Sequence, residues 1–294
     1  MKTLISLLIV LVSSFGQLNG QTNDPTKVVI SHIFFCIDSV TYKNLFQGDF
    51  IAKAFAYSRE SSGKTLTDSW IGKYLIGRQS YIEVFAVNDK KAHPELGDKF
   101  GDVSIVFRTQ KSGDINKIDS RIKSSKRETH LELMKNESDG KIIPFNYNLY
   151  LSNDSLQDMF RPYVEEFTMD FLKLCGFSES EIKAGITTEQ FGEKRRGKKY
   201  EKLYDNIEKI ELTLAPEEFD YLAESLKYFG FSQTGNRFTN GTLEIICSLQ
   251  RNRRYKLKAI YFSLLKKSDD IKVEISKNLT FKASGTTASF EFNY

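Results

Sequence analysis

Two polar side chains stand inside apolar, strand-like stretches and have the chemistry of a functional site. Glu83 lies in Gly77–Val87, a run dominated by residues that favour strands. Burying a carboxylate there is costly unless a cation, a metal or hydrogen-bond donors pair with it. His32 is the lone imidazole of a second apolar stretch, Val28–Asp38. We therefore expect His32 and Glu83 to be partners.

The pair has three interpretations. As half of a divalent metal site, its N/O ligation suits Zn, Fe, Mn or Ni, and the sequence does not choose among them. As a buried hydrogen bond without metal, it satisfies both groups. The third alternative is that the two side chains never meet. Period-two alternation places His32 between Ile30 and Phe34 on one strand face and groups Glu83 with Tyr81 and Phe85, so we predict that both side chains face one concavity.

In the metal interpretation Glu83 is the candidate catalytic residue. A metal with open positions would polarise a bound oxygen, and a carboxylate or a water molecule would move the proton. Four residues are candidate substrate-binding groups around this concavity: Trp70, Tyr74, Arg78 and Arg108. A guanidinium can hold a carboxylate or phosphate in a bidentate way. The alternative is that both arginines lie at strand ends on the solvent rim.

A strand–helix–strands order recurs along the chain and predicts an α+β fold. Apolar periodicity and capping residues give these predicted elements: strands 28–38, 70–76, 78–87, 100–109, 129–135, 142–151, 207–214, 237–249, 255–265, 271–276 and 289–292, and helices 41–57, 114–123 and 216–228. Asn153 or Asp154 is expected to begin a further helix that runs toward Leu174, with a kink or restart at Pro162.

His32 in a first strand, a following helix, and Tyr81-Ile82-Glu83-Val84-Phe85 in a last strand together resemble the glyoxalase-like, or vicinal oxygen chelate, superfamily. The whole mature chain is similar to uncharacterised secreted bacterial proteins of this kind. The resemblance implies repeated βαβββ modules with curved mixed sheets, and one divalent metal held by His32 and Glu83. It also implies equivalent ligands from paired modules. Ser104 and Lys209 stand at those places, and neither replaces an imidazole well.

Four segments follow from this organisation. We expect a signal peptide at 1–20, a glyoxalase-like unit of two modules at 27–152, a helical connector with a basic loop at 153–202, and a second, degenerate unit at 203–294. The signal consists of Lys2, an apolar stretch from Leu4 to Val12 and a small, polar tail. The mature protein is therefore expected to be exported, to the periplasm or outside the cell.

Composition and motifs argue against several classes of function. A net charge of +4 does not point to nucleic acid, and no later stretch is long and apolar enough to predict a membrane span. The motifs of phosphate loops, serine hydrolases and zincins are absent. Cys36, Cys175 and Cys247 are expected to be free, buried thiols, or one disulfide with one free thiol. The oligomeric state is not assigned.

Two functional hypotheses remain. The first is an exported protein that binds a small polar or anionic molecule and turns it over by metal-assisted lyase, isomerase or oxygenase chemistry. The second is a non-catalytic module for ligand binding or protein interaction that kept the fold without a complete metal site. Four protein ligands around one pocket favour the enzyme, whereas a lone His–Glu pair favours the binding module.

Overall fold

The computed structural model describes most of the chain. The described residues are 26–47, 49–64, 69–87, 99–138, 141–152 and 160–294. The predicted signal peptide at 1–20 lies outside them. None of the helices in these ranges combines the length and hydrophobicity that a bilayer span requires.

The first sheet contains eight strands and is built from two βαβββ modules. The first module consists of β1 (Val28–Ile37), α1 (Ser39–Gln47), a π-helical segment (Ile51–Phe55), β2 (Tyr57–Lys64), β3 (Ser69–Ile76) and β4 (Tyr81–Ala86). The second consists of β5 (Val103–Thr109), α2 (Asp114–Ser124), β6 (Thr129–Ser138), β7 (Lys141–Leu151) and β8 (Tyr163–Phe167). The strand order is β2-β3-β4-β1-β5-β8-β7-β6. In each module the first and last strands pair in parallel, and β1 pairs with β5 in antiparallel fashion at the centre.

The second sheet contains six strands. Its elements are β9 (Tyr204–Leu214), α6 (Pro216–Tyr228), β10 (Ser232–Thr234), β11 (Arg237–Thr239), β12 (Glu244–Leu249), β13 (Leu257–Ser276) and β14 (Leu279–Phe292). The strand order is β10-β11-β12-β9-β13-β14. Strands β9 to β12 with α6 repeat the βαβββ module, and a long hairpin, β13–β14, stands where a fourth module would lie. The fold is therefore α+β with two curved mixed sheets of glyoxalase-like modules, as the sequence predicts.

The prediction of a helix from Asn153 or Asp154 to Leu174 is wrong. Residues 163–167 form β8, which completes the first sheet, and only then does a short helix, α3 (Met169–Leu174), begin. Two further helices follow it, α4 (Glu179–Ala184) and α5 (Thr188–Arg196). Thr168 caps α3 through its side chain, which accepts a hydrogen bond from the amide of Phe171. The expected connector at 153–202 thus contributes a strand to the sheet, and the unit boundaries themselves stay a prediction.

One apolar core joins both sheets. The ring of Phe55, in the π-helical segment, stacks on Tyr204 of β9 at 5.2 Å between centroids. It also meets Phe281 and Phe290 of β14 edge-on, at 4.8 and 5.9 Å. All four rings are buried. Burying aromatic side chains of this size contributes strongly to stability, so the two sheets stabilise each other through this shared core. None of the three cysteines, all within the described ranges, forms a disulfide; Cys36 and Cys247 are buried, as expected, whereas Cys175 is partly exposed.

Hydrogen bonds to Asp38 connect the end of the β13–β14 hairpin to the first module. Asp38 follows β1 and accepts hydrogen bonds from the Thr41 amide at 2.9 Å, the Thr41 hydroxyl at 2.6 Å and the Tyr294 hydroxyl at 2.6 Å. Asn278 donates a longer bond of 3.3 Å. Burial acts to raise the pKa of Asp38, but these hydrogen bonds outweigh burial and lower the pKa to about 2. The ionised carboxylate therefore holds β1, α1 and the β13–β14 hairpin together.

We predict that Asp38→Asn lowers the free energy of unfolding at neutral pH by roughly 1–3 kcal/mol, because charge-assisted hydrogen bonds are lost. The pKa of Asp38 is depressed on folding, so its stabilising contribution is present above the unfolded value of 3.8 and is lost as the pH falls toward about 2. Denaturant unfolding across that range measures the difference between wild type and variant.

The matched control is Asp49→Asn, since the Asp49 side chain is 83% exposed in its salt bridge with Lys53. This change should have almost no effect. Equal stability of wild type and Asp38→Asn at neutral pH would refute the role of Asp38.

Candidate functional site

The face of the first sheet that points away from the shared core carries the candidate site. In the parallel β1–β4 pair, His32 is opposite Tyr81 and Phe34 is opposite Glu83. Residues two apart on a strand share a face, so His32 and Glu83 lie on the same side in neighbouring pairs. We call this side, defined by His32, Tyr81, Glu83, Arg108 and Glu165, the polar face. All but Tyr81 are at least nine-tenths buried.

His32 is held by an aromatic and a polar neighbour. Its ring stacks on Tyr81 with 4.3 Å between centroids, and Nδ1 lies 3.1 Å from the Ser31 hydroxyl. Burial lowers the pKa of His32 to about 4, with Arg108 adding to the effect and Glu165 opposing it. The imidazole is therefore neutral at physiological pH.

Beside His32 lies a buried ion pair. Arg108, on β5, donates to Glu165 Oε1 on β8 through Nε at 2.9 Å and also through Nη2. The Arg108 guanidinium stacks 4.2 Å above the ring of Phe167. Burial acts to raise the pKa of Glu165, but the charge of Arg108 and a hydrogen bond from Ser31 hold it below its usual range. Both charges are thus compensated inside the protein.

The hydrogen-bond directions around Ser31 fix the tautomer of His32. Ser31 donates to Glu165 Oε1 at 2.6 Å, so its one hydroxyl proton is committed. Arg108 Nη2 donates to the Ser31 oxygen at 2.8 Å. Ser31 can then only accept from His32, and Nδ1 must carry the imidazole proton. Nε2 is left as a bare acceptor, and it makes no hydrogen bond with any residue in the described ranges.

Glu83 has its own positioning group. The hydroxyl of Tyr74, opposite Glu83 on β3, donates to Oε1 at 2.5 Å. Gly72 leaves room for this carboxylate, because a Cβ there would lie 2.8 Å from Oε1. No hydrogen bond or ion pair joins Glu83 directly to His32 within the described part of the chain.

Of the remaining predicted site residues, some lie at the polar face and others do not. Arg108 lies on the polar face, and Tyr74 bonds Glu83 there. Arg78, in the β3–β4 turn, pairs instead with Asp205 at 2.8 Å and with Glu189 at 3.3 Å. The side chain of Trp70 lies outside the described residues, although its backbone belongs to β3.

Sequence reasoning missed Ser31 and Glu165, although a signal for Glu165 was present. The pattern Tyr-x-Glu-x-Phe occurs at Tyr81–Phe85 and again at Tyr163–Phe167, the last strands of the two modules. His32 is opposite Tyr81, and Val106 is opposite Tyr163. Val106, not Ser104, is therefore the counterpart of His32.

The polar face does not provide the ligand set of a resident divalent metal. Catalytic metal sites usually use three protein ligands. No cluster of three or more His, Cys, Asp or Glu side chains suited to a metal exists among the described residues. Glu165 Oε1 already accepts from Ser31 and Arg108, and a buried guanidinium repels a second cation. The donor set therefore does not fit the metal that the resemblance implies.

A double-mutant cycle tests the buried pair. We predict that Arg108→Met destabilises the fold by roughly 3–5 kcal/mol, because Glu165 is left as a buried, unpaired carboxylate. Arg108→Met combined with Glu165→Leu should cost less than Arg108→Met alone. Chemical denaturation measures both. Arg237→Met, in a pair whose arginine is 58% exposed, is the control and should cost about 1 kcal/mol or less. A double variant at least as unstable as Arg108→Met alone would contradict this account.

A second prediction concerns the pH dependence of stability. The folded pKa of His32 lies below the unfolded value of 6.5, so stability is full above 6.5 and falls as the pH drops toward about 4. His32→Phe should abolish this fall, worth up to roughly 3 kcal/mol, whereas His130→Gln, with a half-exposed ring, should keep it. An unchanged pH profile in His32→Phe would show that His32 is not buried in its neutral form.

Comparison with known proteins identifies a family and several chains of similar fold. No curated protein matches the sequence. Among solved structures, a hypothetical protein from Staphylococcus aureus is similar with 14% identity and a TM-score of 0.52, over 84% of this chain and 95% of that chain. The 2,3-dioxygenase LapB from Pseudomonas sp. KL28 aligns with 10% identity and a TM-score of 0.41, over 92% and 94% of the two chains.

The Mn(II)-bound glyoxalase from Novosphingobium aromaticivorans aligns with 9% identity and a TM-score of 0.37, over 76% of this chain and 62% of that chain. At these identities the likeness concerns the fold alone. Residues 30–292 match a family model described as a family of unknown function, DUF5829, across almost the whole chain. The protein belongs to this family.

Proposed function

We propose that this protein is an exported, metal-free binding protein whose polar face holds a small polar molecule through an N–H or O–H donor. The observation that carries the proposal is the bare Nε2 acceptor of His32, a side chain 4% exposed, beside an ion pair that is already compensated. Nε2 is not among the fully buried atoms that lack a partner, so it can be reached from outside, and a donor on a ligand would bond to it.

The neighbours of His32 indicate the shape and charge of the ligand. The rings of Tyr81, Phe34 and Phe85 surround the site, with Tyr81 stacked on His32 and Phe34 edge-on to Phe85 at 6.1 Å. Both arginines expected to bind an anion are engaged with carboxylates, Arg78 with Asp205 and Arg108 with Glu165. A neutral, planar donor therefore suits the polar face better than an anion.

The acid–base properties of His32 favour binding over catalysis. A general base works best when its pKa lies near the working pH, whereas the pKa of His32 is lowered to about 4. Such an imidazole accepts a hydrogen bond but is a poor acceptor of a full proton at neutral pH.

Three matched aromatic probes test the proposal: phenol, which has a donor, anisole, which lacks it, and benzoate, which is anionic. We expect phenol to perturb the amide resonances around His32 and Tyr81 in protein NMR spectra, and anisole and benzoate to bind at least about tenfold more weakly. His32→Phe should abolish the effect of phenol, and His130→Gln should keep it. Equal binding of phenol and anisole would contradict the proposed hydrogen bond.

Metal-assisted turnover of a small molecule is the second candidate. It is favoured by the presence of Glu83 on the same face and by the His32 Nδ1–H held by Ser31, since metal-binding histidines commonly donate their other ring N–H in this way. Metal analysis of the mature protein separates the two candidates. The binding proposal predicts substoichiometric metal. Near-stoichiometric metal that is lost in both His32→Ala and Glu83→Ala would overturn it in favour of the enzyme.

A further inference from the structure

Four side chains form one line across the polar face, on four neighbouring strands. Tyr81 of β4 is opposite His32 of β1. On the other side of His32, Val106 of β5 is opposite both His32 and Tyr163 of β8. Directly opposite residues of paired strands project to the same face of a sheet. The imidazole of His32 therefore has a tyrosine on each side, with only Val106 between it and Tyr163.

The small side chain of Val106 lets the rings on either side of it approach each other. His32 and Tyr163 are two strand spacings apart, which is roughly 9–10 Å between their backbones. Val106 is fully buried and forms an apolar cluster with Phe34 and Phe85, which lie on β1 and β4. The ring of Tyr163 packs against this cluster. Tyr163 therefore leans from β8 across Val106, in the direction of His32.

The hydroxyls of both tyrosines are available to a ligand as donors. Neither Tyr81 nor Tyr163 forms a side-chain hydrogen bond in the part of the chain that the structure describes. Neither hydroxyl is among the fully buried atoms that lack a partner, so both can be reached from outside. Burial raises the pKa of both tyrosines well above the usual range, and the charges of Glu165 and Glu83 raise it further. Both hydroxyls therefore keep their protons.

Across the polar face the hydrogen-bonding groups thus alternate as donor, acceptor and donor. They are the Tyr81 hydroxyl, the His32 Nε2 atom and the Tyr163 hydroxyl. A complementary ligand carries an acceptor, a donor and an acceptor along one edge. A cyclic imide has this edge, because its N–H lies between two carbonyl groups. It is also planar and neutral, the two properties that the surroundings of His32 favour.

We propose that the polar face is specific for a cyclic imide, whose N–H donates to His32 Nε2 and whose two carbonyl oxygens accept from Tyr81 and Tyr163. This inference rests on the hydrogen bond to His32 proposed above, and it adds Tyr163 as a residue that determines specificity. A ring that lacks one carbonyl leaves one hydroxyl without a partner once the ligand has displaced water from it. Such an analogue is therefore discriminated against.

Three five-membered rings of similar size test the proposal: succinimide, 2-pyrrolidinone, which has one carbonyl, and N-methylsuccinimide, which has no donor. Each is titrated into the mature protein and followed by amide NMR around His32 and Tyr163. We expect succinimide to bind about tenfold or more tightly than 2-pyrrolidinone, and N-methylsuccinimide to bind most weakly. Tyr163→Phe keeps the ring and removes the hydroxyl, so it should abolish the preference for succinimide over 2-pyrrolidinone.

The matched control is Tyr261→Phe on the second sheet, where the Tyr261 ring lies 3.6 Å from Lys209 Nζ. This variant should keep the preference of wild type. Equal binding of succinimide and 2-pyrrolidinone by wild type, or an unchanged preference in Tyr163→Phe, would overturn the imide assignment and leave the hydrogen bond to His32 intact. Equal binding of succinimide and N-methylsuccinimide would overturn that hydrogen bond, and with it both proposals.

Discussion

The arrangement of the polar face depends on the buried ion pair between Arg108 and Glu165. Arg108 comes from the first strand of the second module and Glu165 from its last strand, and together they fix the hydroxyl of Ser31 in the first module. That hydroxyl in turn sets which nitrogen of His32 carries the proton. A buried guanidinium must be paired to be tolerated, and the pair is connected to the first module through its hydrogen bonds with Ser31. It also places a positive charge on the face where the superfamily resemblance implies a metal ion.

The second constraint is the core that the two sheets share. The helices expected after residues 38 and 214 are present as α1 and α6, and the sheets bury their apolar faces against them and against each other. The polar face lies on the side of the first sheet that is turned away from this core. Its residues are therefore not required to form the core, which allows them a binding role.

Sequence periodicity predicted much of the fold. Both ends of α6 were predicted, because Pro216 begins a clear amphipathic pattern and Gly230 follows its end. It failed at β8, where Pro162 and a strongly apolar run resembled a buried helix. Short apolar runs carry no periodicity that separates strand from helix. The pairing of Tyr74 with Glu83 depends on strand register, and the register shifts between β13 and β14 depend on extra residues in one strand. Neither could be deduced from local composition. The repeated Tyr-x-Glu-x-Phe pattern shows that the role of Glu165 could have been predicted from the sequence.

The central claim is that His32 presents a bare Nε2 acceptor, with its proton on Nδ1 held by Ser31, and binds no metal. The most direct measurement is the ring nitrogen spectrum of His32 in ¹⁵N-labelled mature protein at neutral pH, recorded before and after addition of Zn²⁺ or Mn²⁺. The account predicts a neutral ring with protonated Nδ1 and unprotonated Nε2, unchanged by either metal. A proton on Nε2, or a His32 signal that Zn²⁺ shifts or Mn²⁺ broadens at one metal per chain, would contradict it.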